Sequence, residues 1–554
     1  MLKISRELSG LGFQRQAGSR TAFAFEGYLP VKNLQVPICI KLEDCDFIQA
    51  PKIYLLDDRP KAFQKPLPHV SSDGELCYLE REEVYLDPSK PVKVIRSLLA
   101  KAADTLTHIL NGNLDNDVPR EFLAYWGAKM YGSLVSGVTS SHSYKLVTAV
   151  FYDRLNNQRE EILVGGAADI NRMLKVWGCE TDINHHSCLC FKLNKEPVIP
   201  WEDRVSWSIE TWPGFLSWLK TNDQSLYDRL LNALSMKENR KRTLGVIFSS
   251  EAGEWGFILT LLQEKLFHEL KNLPPTHYRK RIQNSKRLLR FEKVSLRRAH
   301  QQHIVSRNLP SSASFMGKRI AIIGAGTIGS GLLRLLAQCG AGVGGGRLTI
   351  FDNGVLDASN LGRHYLDAGY LYCTKSSACA HKLSQEFPSI DVVAKQYNWS
   401  ETEAFDKYHL IIDATGFEGF SEQLNRRWVQ QNLSIKDTSL LHIWIEGHGE
   451  SVRGLWNQKG GACYRCLRLP DGQPRFPLRN DTVQVRRSYA CGESFQPYLP
   501  SAPNHAAALC LDMLYEWLQG DTRYTFKSMA LKATTRVFPN KKLSQVKGCP
   551  VCGI

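Results

Sequence analysis

The rhythm of apolar and polar positions changes along the chain. In residues 1–125, short β-like runs (21–29, TAFAFEGYL; 35–42, QVPICIKL; 51–56, PKIYLL) are separated by turn residues. A helix is predicted over 91–112, with a proline at its start and a glycine after its end. Residues 126–300 mix strand-like pieces (144–152 and 243–250) with an amphipathic stretch, 257–273, that predicts a helix. From residue 318 the pattern becomes an apolar strand, a glycine turn and a helix (KRIAIIGAGTIGSGLLRLLAQCG). Further strands follow at GRLTIFD, YHLIIDATG and SLLHIWIEG. Strands alternating with helices predict a doubly wound, Rossmann-like parallel sheet. The chain thus reads as an α/β multidomain protein, divided at 1–125, 126–300 and 301–554, with a middle α/β linker or adaptor domain.

Composition narrows the function classes. A length of 554 residues corresponds to about three or four domains, and 43% apolar with 23% charged residues is ordinary globular material. The N-terminus has no signal-peptide core, and no run of about 18 apolar residues predicts a membrane span, so the expectation is a cytoplasmic protein without membrane contact. Fifteen cysteines in such a chain are metal ligands, catalytic thiols or core fillers rather than a disulfide framework. The net charge of +15 gathers partly in 278–298. No aromatic-rich recognition motif accompanies it, so nucleic acid is disfavoured as a partner. A basic helix with Ile282, Leu288, Leu289 and Phe291 packed inward is expected there.

Gly324, Gly326 and Gly329 form GxGxxG at a strand-to-helix turn, where backbone can approach a phosphate. Asp352 ends the next strand and can accept hydrogen bonds from ribose hydroxyls; at this point NAD and ATP both fit. Asn360, Arg363 and Lys375 then add polar and cationic groups suited to a triphosphate whose pyrophosphate departs. Asp413, at the C-terminal end of a strand, is expected to hold Mg²⁺. Cys463 with Cys466 and Cys549 with Cys552 form two CxxC knuckles, a ligand set for a structural Zn²⁺.

These motifs resemble the ThiF/MoeB adenylation domain shared with ubiquitin-activating enzymes, over about residues 300–554. The resemblance implies that Asp352 binds ribose, that Asn360, Arg363 and Lys375 contact ATP phosphates, and that Asp413 binds Mg²⁺. It also implies a homodimer in which a basic residue, Arg297, Arg298 or Arg307, reaches across to ATP. Activating enzymes carry a thioester-forming cysteine after the adenylation core. Cys491 occupies such a turn-rich segment, with Arg486 and Arg487 nearby to favour the thiolate. Its rival Cys510 lies in a helical pattern, as do Cys339 and Cys379, and Cys39 reads as strand.

Residues 66–80, PLPHVSSDGELCYLE, resemble the catalytic segment of ubiquitin-conjugating enzymes, in which His-Pro-Asn precedes the catalytic cysteine. The N-terminal α+β region matches this family over about 1–125, with His69 at the histidine and Cys77 at the nucleophile. Val70 and Ser71 stand where Pro and Asn would be. Losing one oxyanion donor costs about 3 kcal/mol, so another group has to substitute, with Ser71 and Ser72 among the candidates. A conjugating-like domain ahead of an activating-like one resembles the E1–E2 fusion proteins of bacterial CBASS antiphage operons. That resemblance implies ATP-dependent adenylation of the C-terminus of a cGAS-like synthase (CD-NTase) or ubiquitin-like protein. Thioesters on Cys491 and then Cys77 would follow, with transfer to an acceptor lysine. Two other readings are a ThiF/MoeB-type sulfur-carrier adenylyltransferase and an NAD-dependent oxidoreductase.

Overall fold

The computed structural model describes residues 2–16, 23–44, 46–63, 67–71, 73–79, 85–117, 121–138, 144–153, 155–179, 184–197, 209–283, 289–400, 402–431, 438–457, 460–478, 486–487, 494–495, 497–521 and 523–553. They form two compact units: Met1–Ile170 with Cys179–Arg298, and Asn171–Gly178 with Ala299–Ile554.

In the first unit an antiparallel four-stranded sheet carries Gln14–Arg15, Phe23–Val31, Leu34–Leu42 and Lys52–Leu55 in that order. The strands alternate enough to bury Phe25, Val36, Ile38, Ile40 and Ile53. The helix Pro91–Leu110 covers them with Val94, Ile95, Leu98, Ala102, Leu106 and Ile109, an apolar stripe at helical spacing. The helix Leu2–Gly10 adds Ile4 and Leu8 to the same core.

The middle of the chain is a closed seven-stranded barrel. Its interior draws on every strand: Leu134, Leu146, Ile162, Cys188, Ile247, Ile258 and Val294. Outward-facing neighbours such as Val246, Phe248, Trp255 and Phe257 pack under the helix Trp212–Asn222 in a dense aromatic cluster. Two sequence expectations are corrected here. Residues 257–261 belong to the strand Glu254–Leu261, and only Glu264–Lys271 is helical. The basic stretch is not one helix, because Pro275–Gln283 is a helix and Leu289–Arg298 is a barrel strand paired on both sides. Long-range pairing overrides the local helical pattern in both. Of the four apolar residues expected inward, Ile282 is buried, Leu289 and Phe291 are partly buried, and Leu288 lies outside the described residues.

In the second unit a seven-stranded sheet runs Val392–Lys395, Arg347–Phe351, Arg319–Ile323, Leu410–Asp413, Ser439–Glu446, Ser451–Trp456 and Phe526–Ala530. The first five strands are parallel and the last two antiparallel. Ile320 and Ile322 face a core shared with the helices Thr327–Gln338 and Ser501–Leu518. Ala321 and Ile323 face another core with the helix Glu418–Gln431. Burial on both faces explains why these strands read as continuous apolar runs. Cys510, Cys379 and Cys339 are buried in the first of these cores. Burial pushes their thiols up, that of Cys379 to about 12. Cys39 is likewise buried on its strand. No helix among the described residues is long and apolar enough to cross a membrane.

Candidate active sites

The segment around Cys77 is a clamp. Gly74 turns at φ +87°, and an added Cβ there would lie 2.7 Å from the Leu55 carbonyl oxygen, so the turn requires glycine. The turn lets Val70 pair with Leu76 and the Cys77 amide donate to the His69 carbonyl at 2.7 Å. This bridge sets Cys77, which is exposed, beside His69. His69 adopts a left-handed φ of +58°, uncommon for a residue with a Cβ. Its backbone amide donates to Glu121 at 2.9 Å, and its Nε2 lies 3.3 Å from Asp117. Tyr125 anchors the same segment by donating to the Leu67 carbonyl.

Cys77 opens onto a cavity of about 580 Å³ lined by Lys52, His69, Asp73, Glu75 and Glu121, with Leu123 and Ala252 from the barrel side. The balance of charge is acidic, which attracts an amine. Ser71 does not aim its hydroxyl at the thiol: it donates to Asp73 at 2.5 Å, with the Glu75 carbonyl also in range. That bond holds the Asp73 carboxyl below its ordinary value. Ser72 and Cys491 lie outside the described residues, as do the side chains of Arg486 and Arg487. Of the three basic residues weighed for a reach to ATP, Arg298 donates to Glu254 at 2.6 Å in the barrel, while Arg297 and Arg307 are exposed.

In the second unit the glycine loop and neighbouring strand ends enclose about 450 Å³. Gly324, Gly326, Asp352, Asn353, Asn398, Thr415, Phe417 and Gln423 are among the lining residues. Gly324 takes φ +93° against the Ala414–Thr415 backbone. A Cβ on Gly329 would fall 1.9 Å from the Gly324 carbonyl oxygen, whereas one on Gly326 would meet no atom within 4 Å. Gly329 therefore lets the helix pack on its own loop, and Gly326 leaves open space beside the loop. Overpacking costs about 1–3 kcal/mol. Gly329→Ala should accordingly lower both melting temperature and ATP affinity, whereas Gly326→Ala should leave melting unchanged and weaken ATP alone. Calorimetric titration and thermal unfolding of the two variants separate these outcomes.

Asp352 accepts from the Ala325 amide at 2.7 Å and the Gly354 amide at 2.6 Å, one on each oxygen. Each oxygen keeps a lone pair for a further donor. His364, which the sequence did not single out, completes this arrangement. Its Nδ1 accepts from the Leu366 amide, so Nε2 carries the proton and donates to the Ala325 carbonyl at 2.8 Å. Burial holds its pKa below the ordinary histidine value, keeping the ring neutral. Asn360 closes a capping box with Asp357, and Lys375 starts the helix Lys375–Glu386 with its amide bonded to Gly354. The Arg363 guanidinium stacks 5.5 Å from the ring of Tyr498, whose hydroxyl meets Thr327 at 3.1 Å. The structure thus gathers Gly324, Gly326, Gly329, Asp352 and Lys375 around one loop, with Arg363 and Tyr498 beside it. The donors and the cavity fit a nucleotide.

Asp413, for which the sequence predicts Mg²⁺ binding, ends the strand Leu410–Asp413 next to the nucleotide cavity. It is fully buried, and its carboxylate already accepts from four donors. Thr415 supplies its amide (3.1 Å) and hydroxyl (2.7 Å) to one oxygen. Ser421 (2.5 Å) and His442 Nδ1 (2.8 Å) serve the other. Together these four contacts fix the orientation of the carboxylate. Burial would raise its pKa, but the bonds from His442, Ser421 and Thr415 outweigh it and hold the carboxyl below its ordinary value. Asp413 fixes the turn that forms one wall of the nucleotide cavity.

The four knuckle cysteines converge: their sulfurs all lie within 4.8 Å of one another, with Cys463–Cys549 at 3.9 Å and Cys466–Cys552 at 3.4 Å. Zinc–sulfur bonds of about 2.3 Å give tetrahedral sulfur separations of about 3.8 Å, so the cluster fits Zn²⁺. The hydrogen bond with Cys463 lowers the Cys466 thiol below its ordinary value, and the same contact pushes Cys463 up. Between the knuckles and Asp413, Tyr464 packs 4.6 Å from His442, and its amide donates to Asn425. A further cavity of about 440 Å³ lies along this wall, lined by Gly416, Glu418, Trp444, Glu446, Arg453, Tyr464, Arg468 and Phe476. The turn 415–419 lines both cavities.

Residues 312–551 match the ThiF family, and residues 4–134 match prokaryotic E2 family B. Relatives align over nearly the whole chain. An "ATP-dependent ubiquitin transferase-like protein Cap2" from Pseudomonas aeruginosa is 27% identical over 92% of this chain and 90% of its own length. Proteins of the same description from Escherichia coli and Vibrio cholerae are each 24% identical over 93% of this chain and 91% of their own lengths. The chain is therefore a fusion in which a ThiF-family domain follows a prokaryotic E2 family B domain, the arrangement that matches the Cap2-type proteins.

Proposed function

We propose that the chain is an ATP-dependent transferase of ubiquitin-like conjugation, which activates the C-terminal carboxylate of a partner protein and attaches it to a lysine. The observation that carries this reading is the pairing of a nucleotide-sized cavity at the glycine loop with an exposed thiol, Cys77, in an acidic cavity suited to an amine. The carboxylate attacks the α-phosphorus of ATP and pyrophosphate leaves; Lys375 and Arg363 offset the charge on the phosphates, and Asn360 offers a further polar contact. Asp352 holds the ribose. The Cys491 thiolate then attacks the acyl carbon and AMP leaves. Cys77 takes the acyl group by thioester exchange, and a lysine amine displaces Cys77 as thiolate. Asp117 and Glu121 orient His69 beside that thiol.

A cGAS-like synthase as the partner, antiphage defence as the setting and a homodimer as the working unit are what the family resemblance supports. A sulfur-carrier adenylyltransferase would share every step up to the adenylate and leave Cys77 unused. Purified with the products of its neighbouring genes, the chain should exchange labelled pyrophosphate into ATP. Tight NAD binding without such exchange would overturn the reading.

A further inference from the structure

The cavity beside the nucleotide site contains a buried arginine whose hydrogen bonding is half complete. Arg453, on the strand Ser451–Trp456, is 4% exposed and lines this cavity. Its Nη1 donates to Glu446 at 3.0 Å, and the ring of Phe538 lies 5.4 Å from the guanidinium carbon. Its Nε and Nη2 are buried and have no partner among the described residues. These two nitrogens form one edge of the guanidinium, the parallel pair of N–H groups that grips a carboxylate in a bidentate manner. Leaving such donors buried and unpaired is costly, so the edge is set for a ligand.

The acids around it are already held. Glu418 is paired with Arg468, Glu422 lies 3.9 Å from Arg465, and Glu446 takes the other end of Arg453 together with the Trp444 indole at 2.8 Å. Ile445, Leu467, Phe476 and Leu478 add apolar surface between these charged groups. A cavity of mixed polar and apolar lining that holds one buried, unpaired guanidinium edge suits a peptide segment that carries a carboxylate. The turn 415–419 contributes residues to this cavity and to the nucleotide cavity, so a tail bound here lies next to the place of activation.

We propose that Arg453 binds a carboxylate of the partner's C-terminal tail, contributed by an acidic side chain or by the terminus itself, and so selects which tails are activated. This rests on the adenylation reading for its consequence, but the binding event does not require ATP.

The test uses the full chain and a fluorescein-labelled pool of synthetic decapeptides, randomised in sequence and ending in a free carboxyl. Anisotropy without ATP identifies the tightest binders. Each is then remade with its acidic side chains as amides, and separately with an amidated C-terminus. One of these changes should weaken binding about tenfold or more, as losing a bidentate charged contact does. Loss with the side-chain amides assigns the acid to the tail's interior; loss with the terminal amide assigns it to the terminus. R453Q should weaken the parent peptide to the same degree and leave the peptide lacking that carboxylate unaffected. R453K, which keeps charge but not the fork, should fall between, with zinc content and ATP affinity unchanged in both variants. Carboxylate and amide peptides binding wild-type protein equally, or no peptide binding it at all, would overturn the proposal without reference to any variant. Peptide binding with no pyrophosphate exchange would instead remove the adenylation reading and leave this one standing.

Discussion

Cys77→Ala protein is expected to retain ATP–pyrophosphate exchange at the wild-type rate and to lose attachment of the partner to lysine by several orders of magnitude. Exchange depends on the glycine loop and Asp352, which belong to the other compact unit. Attachment depends on a nucleophile, and no neighbouring group replaces a thiol that is absent. The buried cysteines offer no substitute, since burial holds Cys39, Cys339, Cys379 and Cys510 in their neutral form. Cys77→Ser should trap the acyl group as an oxyester, which amines attack more slowly than a thioester. Cys491→Ala should spare exchange while abolishing loading at Cys77, because adenylation requires no thiol. Gel analysis with and without thiol reductant reads all three. Equal conjugation by wild-type and Cys77→Ala protein would reduce the N-terminal domain to a binding module.

The second large effect concerns the metal. Removing zinc, or making Cys463→Ser, should lower the melting temperature and slow pyrophosphate exchange together. Structural zinc contributes about 10–16 kcal/mol in small peptides at neutral pH; a domain with its own core depends on it less, so a loss of several kcal/mol is expected. Exchange suffers because Tyr464, between Cys463 and Cys466, packs on His442, and His442 holds Asp413. Asp413 in turn fixes Thr415 at the nucleotide cavity. Elemental analysis, thermal unfolding and exchange on the same samples check the linkage. Fully active, fully stable protein without zinc would break it.

Sequence alone made the local chemistry legible and missed what folding brings from afar. The glycines, Asp352 and the two CxxC pairs are readable because each motif's geometry follows from short spacing. His69 and Cys77 are readable for the same reason, since one glycine turn joins them. Asp117 and Glu121 lie 48 and 52 residues beyond His69 and carry no local signal. Asp413 was legible as a strand-end carboxylate, whereas its partners Ser421 and His442, 8 and 29 residues on, carry no local signal. The barrel was hidden because strands such as Glu254–Leu261 and Leu289–Arg298 carry helix-like patterns that only cross-strand pairing resolves. His364 had one available clue, its place immediately after Arg363 in the loop that follows the ribose-side aspartate.

The most direct measurement is the mass of the peptide containing Cys77 after wild-type protein, with its partner, has been given ATP. Cys77 is expected to carry the partner's C-terminal residues through a bond cleaved by hydroxylamine or thiol, in an adduct that needs ATP and that Gly329→Ala diminishes. Lysine conjugates forming in the presence of ATP while Cys77 remains unmodified at every time point would contradict this expectation.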